Sequence, residues 1–212
     1  MGTAPVTRKV QWGEVSAVVA TGLAHLVVSN ALDRLGVFVA GALLFWGGYV
    51  IVRVRRDRGV LADWGFRREN LRPAFRAASA VALVAVLLMA GIAALRGSLA
   101  LHVHLLPLFL LYPVWGLAEQ YFVQALVARN LRAAGGLLAK PRVIVPVCAV
   151  LLAVVHLPDP VLTLATLLLG GVFTAIYLRW RNLWPLGLYH GWLGALCYFW
   201  ILGHDPWLEV VG

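Results

Sequence analysis

Three side chains in this sequence combine reactive chemistry with an apolar setting: Glu119, His156 and His190. Each stands inside a long apolar run, and no other acidic residue falls within any such run. A charged side chain at mid-bilayer costs roughly 2.5–3.5 kcal/mol on insertion scales, so an intramembrane carboxylate marks a functional site by default. A carboxylate beside an imidazole takes a proton from water as the water attacks a carbonyl. A second imidazole can stabilise the oxyanion that forms. Glu119 with His156 would fill the first role and His190 the second. The same Glu, His, His set also matches the three protein ligands of a catalytic zinc site. The residues by themselves leave both mechanisms open.

Bringing these groups together requires helices in a membrane. Of the 212 residues, 62% are hydrophobic and 13% charged, with mean hydropathy +0.85. That balance excludes an ordinary soluble domain and specifies an integral membrane protein. Seven apolar runs lie near the ~20 residues a spanning helix needs: 15–32, 35–52, 74–95, 105–130, 143–157, 161–178 and 183–202. The expected fold class is all-α, a polytopic membrane helix bundle of about seven transmembrane helices. Residues 1–212 are expected to form one integral membrane domain. Only Asp33 and Arg34 separate the first two runs, which predicts a tight hairpin. At ~1.5 Å per residue, Glu119, His156 and His190 lie roughly 16, 20 and 10 Å from the cytosolic ends of their runs. All three therefore fall in the middle third of a bilayer. Thr166, Gly170 and Thr174 form a small-residue ridge on the sixth run, and Gly187 and Gly191 lie on the seventh. Such residues let helices pack closely.

The net charge of +9 would suggest nucleic acid in a soluble protein. Here the basic residues cluster between apolar runs, so topology and anionic headgroups explain them and no nucleic-acid partner is expected. With the N-terminus in the cytosol, 16 of the 18 Lys and Arg residues fall on the cytosolic side. Only Arg34 and Arg96 fall outside. This division predicts seven spans with the C-terminus outside. Arg8-Lys9 ahead of the first run raises a signal peptide, but no small-residue cleavage site follows, so an uncleaved span is the better reading. Trp12, Trp64, Trp180, Trp184 and Trp207 stand near run ends, as interfacial aromatics do. Leu61–Phe66 reads as an amphipathic piece along the cytosolic interface. Cys148 and Cys197 read as buried thiols. His25 reads as a packing residue, and His102 and His104 as solvated loop residues.

The order of these motifs resembles the CPBP family of intramembrane proteases, also called the type II CAAX prenyl endopeptidase or ABI family. That family carries Glu-Glu-x-x-x-Arg, Phe-x-x-x-His and His-x-x-x-Asn on successive helices. Glu119 matches the first Glu, and His156 and His190 match the two histidines. Leu183-Trp-Pro-Leu-Gly-Leu-Tyr-His190 resembles the approach to the third motif. Asp63-Trp-Gly-Phe66 with Asn70-Leu-Arg72 resembles a juxtamembrane segment. The similarity covers about residues 63–200. It implies an intramembrane endopeptidase with Glu119, His156 and His190 catalytic, and a membrane-associated or lipid-modified peptide or protein substrate in the bilayer. In a bacterium the site would be the inner (plasma) membrane.

Four positions depart from the family pattern. Gln120 replaces the second Glu, Gln124 the Arg, Leu152 the Phe, and Gly194 the Asn. Gln120 and Gln124 stand one helical turn apart, so together they read as a neutral substitute for an ion pair. The family's Asn is thought to share oxyanion stabilisation, and losing one such donor costs 10²–10³ in rate. Gln120, Gln124 and Gly194 are therefore supporting candidates. Zinc, if used, would fall on Glu119, His156 and His190. Two other readings are a catalytically reduced membrane interaction or immunity protein, and a small transporter relaying protons through Glu119.

Overall fold

The computed structural model describes residues 10–31 and 35–211. The expectations for Arg8, Lys9, Asp33, Arg34 and Gly212, the hairpin turn included, lie outside the described residues. Every regular element among the described residues is helical. In chain order these are α1 (Trp12–Ala31), α2 (Leu35–Arg56), α3 (Val60–Trp64), α4 (Leu71–Arg96) and α5 (Leu105–Gln120). A π-helical segment, Tyr121–Ala128, follows α5 directly. Then come α6 (Arg129–Ala134), α7 (Pro141–Val154), α8 (Pro160–Trp180) and α9 (Trp184–Cys197). A second π-helical segment (Tyr198–Leu202) and α10 (Pro206–Val211) complete the chain. Among the described residues the apolar runs fall in helix except at Leu183 and at the end of the fifth run, which leaves it after Val154 and places His156 in a turn; the fold is the all-helical membrane class the composition implies. Three stretches, Gly36–Arg56, Leu71–Arg96 and Pro160–Trp180, are each long and apolar enough to cross a membrane.

The chain forms two compact units. The first takes the described residues through Trp64 together with Phe122–Leu178. Here the small-residue ridge on α8 does what its spacing predicts. A Cβ built on Gly170 would stand 3.1 Å from Ala149 Cα and 3.2 Å from Leu152 Cδ2, so the ridge seats α8 close against α7. Ile144, Cys148, Leu152, Phe173 and Tyr177 fill the adjoining core.

Trp64 corrects an expectation. It is fully buried rather than interfacial. Its ring lies 6.2 Å from that of Tyr49, and its carbonyl accepts a 2.9 Å bond from the Tyr177 hydroxyl. The α3 segment thus turns Val60 and Trp64 inward and leaves Leu61 exposed.

Arg129, one of the cytosolic-side charges in the topology count, is buried between two carboxylates. It donates to Glu14 Oε2 at 2.5 Å and Asp63 Oδ2 at 2.7 Å. Asn130 also donates to Glu14 Oε2, at 2.7 Å, and Tyr49 hydrogen-bonds Glu14 Oε1. Arg53 stands 3.6 Å from the same oxygen. Buried charges persist only when paired and hydrogen-bonded, and this network ties α1, α2, α3 and α6 together.

The second unit takes Gly65–Tyr121 and the chain from Arg179 onward. Ala93, Leu105, Leu108, Leu196, Phe199 and Trp200 form its hydrophobic core. Asn182 holds its entry segment, donating to the carbonyls of Arg67 at 2.8 Å and Glu69 at 3.2 Å. Helices α5 and α9 meet backbone to backbone. A Cβ on Gly116 would stand 2.6 Å from Gly187 O and from Gly191 N. One on Gly187 would stand 2.6 Å from Leu117 Cα. Only hydrogen fits at these positions, so glycine permits an approach no other residue allows.

Candidate active site

The glycine contact between α5 and α9 decides what the next turn can do. Three and four residues beyond Gly116, the α5 side chains Glu119 and Gln120 face His190 of α9. His190 Nε2 lies 2.7 Å from Glu119 Oε2, and its Nδ1 lies 3.0 Å from Gln120 Nε2. Both imidazole nitrogens are therefore engaged. Trp115, one turn back on α5, donates its indole N–H to Glu119 Oε1 at 2.8 Å. Gln120 has no exposed surface and His190 is 7% exposed, whereas Trp115 is 48% exposed and sits at the rim. The result is a contiguous polar series, Trp115–Glu119–His190–Gln120, hydrogen-bonded at its two outer links, with its two central groups in ion-pair contact and capable of acid–base chemistry.

The other sequence candidates are placed as follows. His156 belongs to the first unit, just past the end of α7, with Nδ1 2.8 Å from Leu152 O. Its ring is thus held by the backbone of the residue that replaces the family's Phe, while the buried Leu152 side chain packs beneath Gly170. Gln124 lies in the π-helical segment of the same unit and donates to Thr174 Oγ1 at 3.0 Å. The two glutamines thus each reach a further helix, Gln120 to His190 and Gln124 to Thr174. Gly194 lies one turn beyond His190, and a Cβ there would meet Tyr112 Cδ1 at an ordinary 3.8 Å. There is room at Gly194 for a side chain.

Three features escaped the sequence reading. Trp115 carries no signal of its own, although its i, i+4 spacing to Glu119 is the spacing at which helical side chains meet. Gly116 is an isolated glycine whose role depends on the facing helix. The π-helical turn after Gln120 has no sequence signature, although such turns recur at functional sites. His102 and His104, read as solvated, have partners in the second unit. His102 stacks on Phe199 with ring centroids 4.5 Å apart, and His104 Nδ1 lies 2.7 Å from Asp205 Oδ2.

Tetrahedral zinc ligands about 2.0–2.2 Å from the metal stand ~3.3 Å apart. Glu119 Oε2 and His190 Nε2 are closer, at 2.7 Å. Zinc held by both would draw them a few tenths of an ångström apart.

Fold and site together define a helical membrane protein with a carboxylate–imidazole pair sunk among apolar helices. The family described as type II CAAX prenyl endopeptidase Rce1-like matches residues 100–196. The match contains Glu119, His156 and His190, and it supports assigning the chain to the CPBP family and to a CAAX-type intramembrane protease kind of function. No curated protein and no solved structure matches the chain.

Proposed function

We propose that this protein is an intramembrane endopeptidase, its 212 residues acting as one integral membrane domain. Glu119 and His156 activate water, and His190 stabilises the oxyanion. The observation that carries the reading is the 2.7 Å contact between Glu119 and His190, inside the segment that matches the protease family. In the reaction a water O–H bond breaks as its oxygen bonds to the scissile carbonyl carbon. Glu119 takes the proton and returns it to the departing amide nitrogen. His190 lends an N–H to the oxygen that becomes negative. Gln120 and Gln124 keep the motif helix neutral.

The substrate is a membrane-associated or lipid-modified peptide. An apolar groove of about 290 Å³ in the second unit, lined by Ser79, Phe109, Tyr189, Trp192 and Leu196 among others, supports an apolar substrate group. The protein sits in the inner membrane with its N-terminus in the cytosol and its C-terminus outside.

Cleavage of a membrane-peptide library by purified protein tests this. Glu119→Gln, His156→Ala and His190→Ala should each abolish cleavage while leaving folded, inserted protein. Full activity in Glu119→Gln would sink the mechanism. If zinc is required, a chelator should remove activity and metal analysis should find about one ion per chain. One observation favours the alternative of a catalytically reduced membrane interaction or immunity protein: position 194 offers no side-chain donor. Turnover by the wild type decides between them.

A further inference from the structure

We infer that Trp115 is a positioning residue: its indole N–H holds one oxygen of the Glu119 carboxyl and so leaves the other, Oε2, as the oxygen that meets water. The inference rests on the hydrolase reading for its catalytic consequence, while the orientation of the carboxyl stands on the geometry of α5 and α9.

The terminal torsion of a glutamate is broad and roughly two-fold, so its two carboxyl oxygens readily exchange places. A base that must take a proton at one point gains from losing that freedom. Trp115 removes it. Its indole is rigid, with two rotatable bonds, and the ring nitrogen donates and never accepts. Four residues before Glu119, it lies on the same helical face, and its Nε1 stands 2.8 Å from Glu119 Oε1. With Oε1 held, Oε2 is turned to His190, 2.7 Å from Nε2. Either protonation state of Glu119 leaves Oε1 a lone pair with which to accept, so the hold does not depend on where the protons of the site reside.

Such a hold works only if α5 cannot roll, and two contacts with α9 prevent that. Gly116, the next residue, presses backbone to backbone on Gly187 and Gly191. Pro113 has no N–H, so the Phe109 carbonyl one turn earlier lacks its helical donor; Trp192 of α9 supplies one, its indole donating to Phe109 O at 3.0 Å. Trp115 stands between these two fixed points. Its ring is 48% exposed, so packing against protein does not account for a tryptophan here. It also lies well inside the helical stretch formed by Leu105–Gln120 and the π-helical segment that follows, away from the span ends where interfacial tryptophans collect. The donor accounts for it. A lysine or arginine at 115 could also donate, but would place a second charge in the apolar run.

The test uses the full-length protein in detergent with ¹⁵N-labelled tryptophan. The Trp115 indole resonance is identified by its loss in Trp115→Phe. In the wild type its proton should lie downfield of a free indole N–H, and Glu119→Leu, which removes the acceptor, should move it upfield. A wild-type proton at the free-indole position overturns the proposal, as does a resonance that Glu119→Leu leaves in place. Should Glu119→Leu fail to fold, the wild-type spectrum decides alone. In cleavage assays, Trp115→Phe keeps an aromatic ring and loses the donor, so kcat should fall by about 10–10²-fold with KM little changed. Trp115→Gln loses the ring and keeps a donor at the same i, i+4 spacing, so it should restore part of that kcat. The opposite order, with Trp115→Phe as active as the wild type and Trp115→Gln impaired, would show that the ring only packs; it overturns the proposal and leaves the hydrolase reading intact. A hydrogen-bonded indole in a wild type that cleaves nothing would refute the hydrolase reading and leave the orientation of Glu119 standing.

Discussion

Gly116→Ala adds one methyl group where α5 meets α9. The new Cβ would stand 2.6 Å from Gly187 O and Gly191 N, against the 3.4 Å of ordinary contact. Both obstacles are backbone atoms and cannot rotate away, so the helices must separate by about 0.8 Å. Carried to the next turn, that shift stretches the Glu119–His190 contact from 2.7 Å to about 3.5 Å and the Gln120–His190 hydrogen bond from 3.0 Å to about 3.8 Å, beyond hydrogen-bond range. Overpacking of this kind costs roughly 1–3 kcal/mol, and losing a hydrogen bond adds about 0.5–1.5 kcal/mol. The expected total is about 2–4 kcal/mol. In a chain of this length each kcal/mol lowers Tm by about 2–4 °C, so detergent-solubilised Gly116→Ala should melt about 5 °C or more below the wild type. Gly194→Ala is the control on the same helix pair. Its Cβ meets only Tyr112 Cδ1 at 3.8 Å, and removing a helical glycine is worth roughly 0.5–1 kcal/mol in its favour. Equal melting of Gly116→Ala and the wild type would refute the backbone-contact argument and the positioning of Glu119 that follows from it.

The room at Gly194 makes a gain of function testable. Gly194→Asn should fold normally and, by supplying an oxyanion donor, raise kcat by up to about 10²–10³; unchanged kcat would show that position 194 does not reach the reacting oxygen. Arg129→Met leaves the buried Glu14 with only the more distant Arg53 and removes the cation of the half-buried Asp63, which should cost about 3 kcal/mol in a thermal or denaturant melt. Adding Glu14→Gln to it should recover part of that loss, and strictly additive losses would mean the network is not coupled. For topology, cysteines introduced at Arg58 and Lys140 should label from the cytosolic side and one after Pro206 from outside; a cytosolic C-terminus would overturn the count of seven spans.

Hydropathy alone located the helices, because a spanning segment must be apolar over about 20 residues and satisfy its own backbone. The runs at 74–95 and 161–178 became Leu71–Arg96 and Pro160–Trp180, lengthened at their ends by residues such as Arg72, Arg96, Arg179 and Trp180 that hydropathy trims. Small residues at 170, 187 and 191 announced close packing, since no side chain projects there to hold helices apart. Glu119 and the two histidines stood out because their chemistry is costly in an apolar run. Trp64 was misjudged because a tryptophan near a helix end looks the same whether its ring meets lipid or protein.

The sequence by itself determined the class of the molecule, its apolar helices and the identity of its reactive groups, all of which depend on the composition of short windows. Tertiary structure decided the pairings. Gln120 and His190 are 70 positions apart, and Glu14 and Arg129 are 115 apart. Whether such residues meet depends on how each helix is rotated about its axis and on how closely its neighbour can approach. A single hydrogen atom in place of a methyl group at Gly116 sets that approach, and the facing backbone that makes it matter lies some seventy residues further along the chain.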